Sequence, residues 1–183
     1  YWDDMVLFAR TGDTVWANEN IVASIPTYNA EYVWVFDKEL RLNYFFSAAD
    51  HPLSDTALVS VDMIRKLTSE SRFFNFFVKS DSGIVEVRGA TIHPTSDPQR
   101  LTDPEGYFVV GRLWSKKRVE ELSLLTSSSV EIIDPKQPDS TQYDELWNSF
   151  YINSLLILED WQQKPIACVQ SSREVTIIKI VHQ

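Results

Sequence analysis

Residues 32–46 read Tyr32-Val33-Trp34-Val35-Phe36-Asp37-Lys38-Glu39-Leu40-Arg41-Leu42-Asn43-Tyr44-Phe45-Phe46. Two runs rich in aromatic and β-branched residues flank Asp37-Lys38-Glu39, the signature of a hairpin. Tyr32 to Phe36 is apolar at every position rather than at alternate ones. A strand of that kind is buried on both faces, so it belongs to a sheet covered on both sides.

Working outward, Phe73 to Lys79 and Ile84 to His93 form a second pair of strands, joined by Asp81-Ser82-Gly83. Gly83 supplies the positive φ of a bulged hairpin loop. Phe73 to Val78 is again apolar on both faces. Asp97 to Glu105, with Pro98 and Pro104, is a loop, and Gly106 to Trp114 is a fifth strand. Strands recur without βα alternation, which favours antiparallel pairing and an α+β fold.

Helical spacing appears on both sides of the hairpin. Trp2, Met5, Val6 and Ala9 mark a first amphipathic helix over residues 1–10. Asp13 caps a second one carrying Trp16 and Ile21 and running to about Ser24, before a loop marked by Pro26 and Asn29. Asp55 caps a third, with Leu58, Val61, Met63, Ile64 and Leu67 at its apolar positions. Ser115 caps a fourth over Lys116 to Leu125. The chain closes with a strand at Ser129 to Ile133 and a polar connector from Pro135 to Gln142. A hairpin follows, Tyr151 to Asp160 and Lys164 to Ser171, around Trp161-Gln162-Gln163. Residues 173–183 are ambiguous: Val175, Ile178 and Val181 recur every three residues and favour a helix, while Ile177-Ile178 would also suit a strand.

Composition narrows the function classes. The chain has 183 residues, 44% hydrophobic, enough for a real core in a single domain. Its net charge of −9 argues against nucleic acid, whose binders carry a basic stripe. Five glycines and the absence of GxGxxG and GxxxxGK[ST] argue against a nucleotide site. Cys168 stands alone and closes no internal disulfide. His51, His93 and His182 are scattered and show no close ligand pair for zinc. His51-Pro52-Leu53-Ser54-Asp55 and His93-Pro94-Thr95-Ser96-Asp97 echo one another, and both read as polar strand exits stopped by proline. No GxSxG elbow occurs, and Asp3 and Asp4 point to different sides of a helix. No apolar run approaches the roughly 18–20 residues that cross a bilayer. The abrupt Tyr1-Trp2-Asp3-Asp4 opening suggests a segment excised from a longer polypeptide.

Several strings, in this order, resemble the fourth class of CHASE-type extracytoplasmic sensor domains, which are akin to Cache and PAS-like folds. Trp2-Asp3-Asp4 opens the first helix, and Trp16 to Asn20 follows. Tyr32-Val33-Trp34-Val35-Phe36-Asp37 resembles the family's first strand and acidic turn. Gly106-Tyr107-Phe108-Val109-Val110-Gly111-Arg112 resembles the strand before the late helix. Arg173-Glu174-Val175 resembles the turn into the helix that leads back to the membrane. The final hairpin departs from the family, with Gln162-Gln163-Lys164 where a glycine-bearing turn is expected.

The resemblance implies one extracytoplasmic sensor domain over 1–183. It comprises a helical segment (1–30), a PAS-like core (31–126), a β extension (127–172) and the start of an outgoing helix (173–183). Membrane helices would flank it in the parent receptor, and the output would be cytoplasmic, such as a histidine kinase or a cyclic-dinucleotide enzyme. No cofactor, metal or catalytic set is implied. The expected partner is an unidentified small molecule held between the sheet and what covers it.

A cavity of that kind needs an aromatic lining and a few convergent polar groups. Asn75 interrupts the phenylalanines of its strand, and Arg88 and Arg112 offer two-pronged carboxylate binding. Trp16, Tyr107 and Trp114 are candidate lining. The structural alternative pairs Arg88 or Arg112 with Glu86 or Asp37 across strands, leaves Asn75 bonded to backbone, and packs the aromatics in the core. The apolar stripe of the first helix suggests a homodimer. Two rival functions stay open: a hydrolase-like enzyme built on Asp37, Glu86, Arg88 and His93, and a protein-interaction module without a small ligand.

Overall fold

The structure is a computed structural model that describes residues 2–48, 58–135 and 149–176. His51, Asp55 and His182, most of the polar connector after Pro135, and the tail beyond Thr176 lie outside the described residues. The chain packs as two compact units, residues 1–113 and 114–183. The division falls ahead of the late helix.

The first unit opens with α1 (Trp2–Thr11) and α2 (Thr14–Asn20). Asp13 caps α2 as its sequence position requires, its carboxylate accepting from Val15 and Trp16 N–H. The second helix stops at Asn20 rather than near Ser24, a 3₁₀ turn at Val22–Ser24 follows, and a short α3 (Ile25–Tyr28) stands where the loop was expected. Pro26 sits in the first turn of α3, where its missing N–H has no intrahelical partner to lose. Asn29 then ends α3 in the left-handed conformation (φ 48°).

Next come β1 (Tyr32–Asp37), β2 (Leu42–Ser47), α4 (Val61–Glu70), β3 (Phe73–Ser80), β4 (Gly83–Ile92) and β5 (Gly106–Trp114). The five strands form one antiparallel sheet in the order β2-β1-β5-β4-β3. All six residues of β1 are buried, as the continuous apolar run requires. Leu40, expected in the second strand, lies in the turn with φ 63°, and β2 starts two residues later. Gly83 takes its expected positive φ (132°). The cap of α4 is Ser60 rather than Asp55, and its hydroxyl accepts from Met63 N–H.

Both faces of the sheet are covered. Met5, Val6, Phe8 and Ala9 of α1 and Ala17 of α2 pack with Val33, Val35 and Ile92, against Tyr44, Phe46, Phe108 and Val110. The stripe that suggests a dimer is therefore occupied by the protein's own core. Gly106 lets α1 approach: a Cβ there would lie 2.6 Å from the Phe36 carbonyl and 2.8 Å from Ala9 Cβ. By strand alternation, Tyr32, Trp34, Tyr107, Val109 and Leu113 face the other way. The Thr68 side chain is close enough to the Tyr107 hydroxyl to act on its ionisation, which puts α4 on that side.

The second unit holds α5 (Lys116–Thr126), β6 (Ser129–Ile133), β7 (Ser149–Glu159) and β8 (Pro165–Thr176). Its three-stranded sheet has the order β6-β8-β7. Ser115 caps α5 by accepting from Arg118 N–H. The β7–β8 turn needs no glycine. Asp160 Oδ1 accepts from Gln162 and Lys164 N–H, and Gln163 takes φ 63°. Residues 173–176, expected as helix, are strand: Arg173 pairs with Ile152 and Glu174 with Tyr151. The extended ladder of β8 overrides the three-residue spacing, which Ile177-Ile178 had already made ambiguous.

Candidate functional site

The face of the sheet turned towards α4 is aromatic. The Tyr32 and Trp34 rings lie 5.9 Å apart, and Trp34 lies 5.6 Å from Phe45. Both Tyr32 and Trp34 are fully buried. Gly111 forms the floor beneath them: a Cβ there would stand 3.0 Å from each ring. Leu113 and Val109 continue this layer and are also buried.

One polar atom in the layer is unsatisfied. The Tyr32 hydroxyl is buried and has no hydrogen-bond partner among the described residues. Burial, reinforced by Glu31, raises its pKa above the ordinary phenol value. It therefore stays a neutral hydroxyl, one donor and an acceptor. Burial likewise raises the pKa of Tyr107, on the same side of the sheet, with the nearby Thr68 side chain opposing it. Tyr32 was not among the residues singled out from sequence. Its only signal there was a hydroxyl at the end of a run otherwise buried on both faces.

The residues that were singled out do not converge. Trp16 is stacked on Phe8 at 5.0 Å between ring centroids and is core packing. Asn75 is exposed on β3, in register opposite Arg88 on β4. Arg88 is exposed and binds Glu86, two residues back on its own strand, through Nε at 2.6 Å. Arg112 donates to the Asn29 carbonyl at 3.1 Å and the Tyr28 carbonyl at 2.8 Å. Neither arginine makes the cross-strand pair considered from sequence. Trp114 is half-buried at the end of β5. Tyr107 alone of the six lies on the aromatic face beneath α4.

The four residues of the enzyme alternative are likewise committed separately. Asp37 accepts from Arg41 N–H and Nε at 2.8 and 2.7 Å. Glu86 holds Arg88. His93, buried at the exit of β4, forms another cluster. Its Nδ1 lies 3.2 Å from Asp97 Oδ2 and its Nε2 lies 2.9 Å from Thr91 Oγ1. Asp97 also accepts from the Thr102 hydroxyl at 2.6 Å and from Leu101 and Thr102 N–H at 3.0 Å each. These bonds, the Thr102 hydroxyl first, hold its carboxyl well below the usual carboxylate range. The Thr91 hydroxyl is buried, so this triad-like chain offers substrate no nucleophile. It secures a loop. Cys168 is a buried free thiol.

A five-stranded antiparallel sheet with helices on both faces is a PAS-like sensor architecture. The CHASE4 domain family matches residues 1–133, and the chain belongs to that family. It is accordingly an extracytoplasmic sensor domain, a class with no catalytic activity of its own. Two crystal structures of the periplasmic domain of Vibrio cholerae LuxQ share the fold. Each is 12% identical and covers 93% of this chain, with 85% and 84% of the LuxQ chains covered and TM-scores of 0.50 and 0.54. No curated protein matches the chain. Among the described residues, no helix is long and apolar enough to cross a membrane.

Proposed function

We propose that this domain is the ligand-binding input of a membrane receptor, with its site on the aromatic face beneath α4. The observation that supports it is the Tyr32 hydroxyl, a buried hydrogen-bonding group with no partner among the described residues. A buried unsatisfied hydroxyl costs about 1–3 kcal/mol, which a bound molecule recovers by bonding to it. The surrounding Trp34, Phe45, Val109 and Leu113 favour a compact, largely apolar molecule with one hydrogen-bonding group.

Such a molecule stabilises the arrangement of sheet and helices that receives it and shifts the population towards that arrangement. The shift reaches a cytoplasmic output module, a kinase or a cyclic-dinucleotide enzyme, through the chain ends. Thermal-shift screening of small acids, amines, amino acids, sugars and aromatic alcohols tests this. A true ligand raises the melting temperature of the wild-type domain. Its effect shrinks in Tyr32→Phe. Hits indifferent to that substitution would place binding elsewhere.

A second reading has one observation in its favour. The edge strand β7 exposes Ile152, Leu155, Leu156 and Ile157 to solvent. A contiguous exposed apolar run suits a protein partner. Lysine at Ile152 and Leu156 would then silence the intact receptor while leaving the melting temperature of the domain unchanged.

A further inference from the structure

The loop between β4 and β5 is tied to the first helix at two points. Asp3 Oδ1 accepts the Thr95 N–H at 2.8 Å, and Arg10 pairs with Glu105 at 2.9 Å. The same loop is pinned internally by the buried His93 cluster. Arg100, with φ 54°, donates to the Thr91 carbonyl and lays its guanidinium 4.7 Å from the Phe73 ring centroid. Arg72 donates to the Arg100 and Thr102 carbonyls at 3.1 and 3.3 Å.

Donor and acceptor counting fixes the tautomer of the neutral His93 ring. Asp97 only accepts, so Nδ1 carries the proton and Nε2 accepts from the Thr91 hydroxyl. Protonation reverses the second bond. Nε2–H must then donate to Thr91 Oγ1, whose own proton has the Arg72 carbonyl, 3.4 Å away, as its remaining acceptor. That carbonyl also receives Thr91 N–H at 3.0 Å, and Thr91 Oγ1 already accepts from Arg100 Nη1 at 3.5 Å, so the reversed bond adds a second cationic donor to one hydroxyl oxygen. The imidazolium also adds a third cation to a cluster holding Arg72, Arg100 and the single carboxylate of Asp97. That carboxylate is already shared with three other donors.

We propose that His93 is a proton-operated latch: when it is protonated the β4–β5 loop loosens, and the Asp3–Thr95 and Arg10–Glu105 ties pass the change to α1. Extracytoplasmic acidity is then a second input to the domain, independent of a ligand at Tyr32. Burial lowers the pKa of His93 below the ordinary imidazole value, Arg100 and Arg72 adding to the effect and Asp97 opposing it. The latch thus stays closed at neutral pH and opens only once the pH falls below the ordinary imidazole value. Asp3 stays ionised throughout that range, since the Thr95 N–H holds its pKa below the carboxylate norm. Only the meaning of an α1 movement rests on the sensor reading. The ligand screen at Tyr32 tests that reading separately, so either one fails without the other.

The test is an NMR titration of the whole 183-residue chain, from about pH 7.5 to about pH 5. The His93 ring protons are expected to titrate with a midpoint below the ordinary value. The Thr95 amide and the amides of α1 shift with the same midpoint, and Thr95 amide protection falls about tenfold. In His93→Gln these coupled shifts vanish. In Asp3→Ala, which removes the acceptor of the Thr95 N–H and leaves the cluster untouched, His93 still titrates but the α1 response shrinks, so the test survives if His93→Gln does not fold. The proposal is overturned if His93 titrates while Thr95 and α1 stay still. Coupled shifts that persist in His93→Gln, or far-UV circular dichroism showing global unfolding over the same range, overturn it equally.

Discussion

Arg112 closes the end of α3: its guanidinium donates to the carbonyls of Tyr28 and Asn29 from the far side of the hairpin sequence. The last carbonyls of a helix lack intrahelical donors, and a cation there also meets the negative end of the helix dipole. Arg112→Ala is therefore expected to destabilise the domain by about 1 kcal/mol in chemical denaturation, with Arg112→Lys recovering part of it. Ligand affinity is expected to be unchanged. A loss of ligand response at unchanged stability would return Arg112 to the binding role its sequence position suggested.

Gly106 sits where α1 crosses the sheet. A methyl group there has a backbone carbonyl at 2.6 Å and the Ala9 methyl at 2.8 Å, neither on a flexible side chain. Gly106→Ala forces α1 outward and is expected to cost about 2–3 kcal/mol. Double substitution with Ala9→Gly relieves only the side-chain half of the clash, so it recovers part of the loss. Denaturation midpoints of the three proteins check this.

The stability of the domain is expected to fall with acidity in a defined order. His93 has a folded pKa below its unfolded value of 6.5. It therefore contributes stability that is fully present above 6.5 and lost as pH falls through the lower folded value. Asp97 and Asp3 are also depressed, from 3.8, so their contributions persist until well below the His93 range. Denaturation curves measured between about pH 7 and about pH 5 should show wild type losing more stability than His93→Gln. An identical slope in the two proteins would remove His93 from the acid response.

The fold was legible where burial leaves a one-dimensional trace. Tyr32 to Phe36 is apolar at every step because β1 lies inside a sheet covered on both faces, and that alone pointed to a two-sided sheet. Helix caps were legible where one residue type competes for one position, as at Asp13 and Ser115. The cap reading failed at α4, which Ser60 rather than Asp55 caps. The site was much less legible. Arg88 and Arg112 look like ligand groups in sequence because charge at a strand position is unusual. What satisfies them is Glu86 on the same strand and two carbonyls more than 80 positions away. The latch was visible only as His93 followed four residues later by Asp97. Nothing in one dimension brings Arg72 and Asp3 to that loop. Tyr32 fails in the opposite sense, because a tyrosine lacking a partner is spelled the same as one that has it.

Tyr32→Phe separates an unfilled polar site from one that is satisfied in the free domain. If the hydroxyl has no partner, removing it abolishes a buried desolvation penalty and leaves the ring packing over Gly111 intact. The ligand-free variant is then expected to be more stable than wild type by about 1–3 kcal/mol. If an ordered water already serves the hydroxyl, the same substitution strands that water and the variant is less stable. The sign of the change therefore decides, and it is read in denaturant without knowing the ligand. Where the ligand is known, its stabilising effect must also fall in the variant, because the bond that favours the bound arrangement is gone. A variant that gains stability alone and keeps the full ligand response would mean that the orphaned hydroxyl and the binding site are different places.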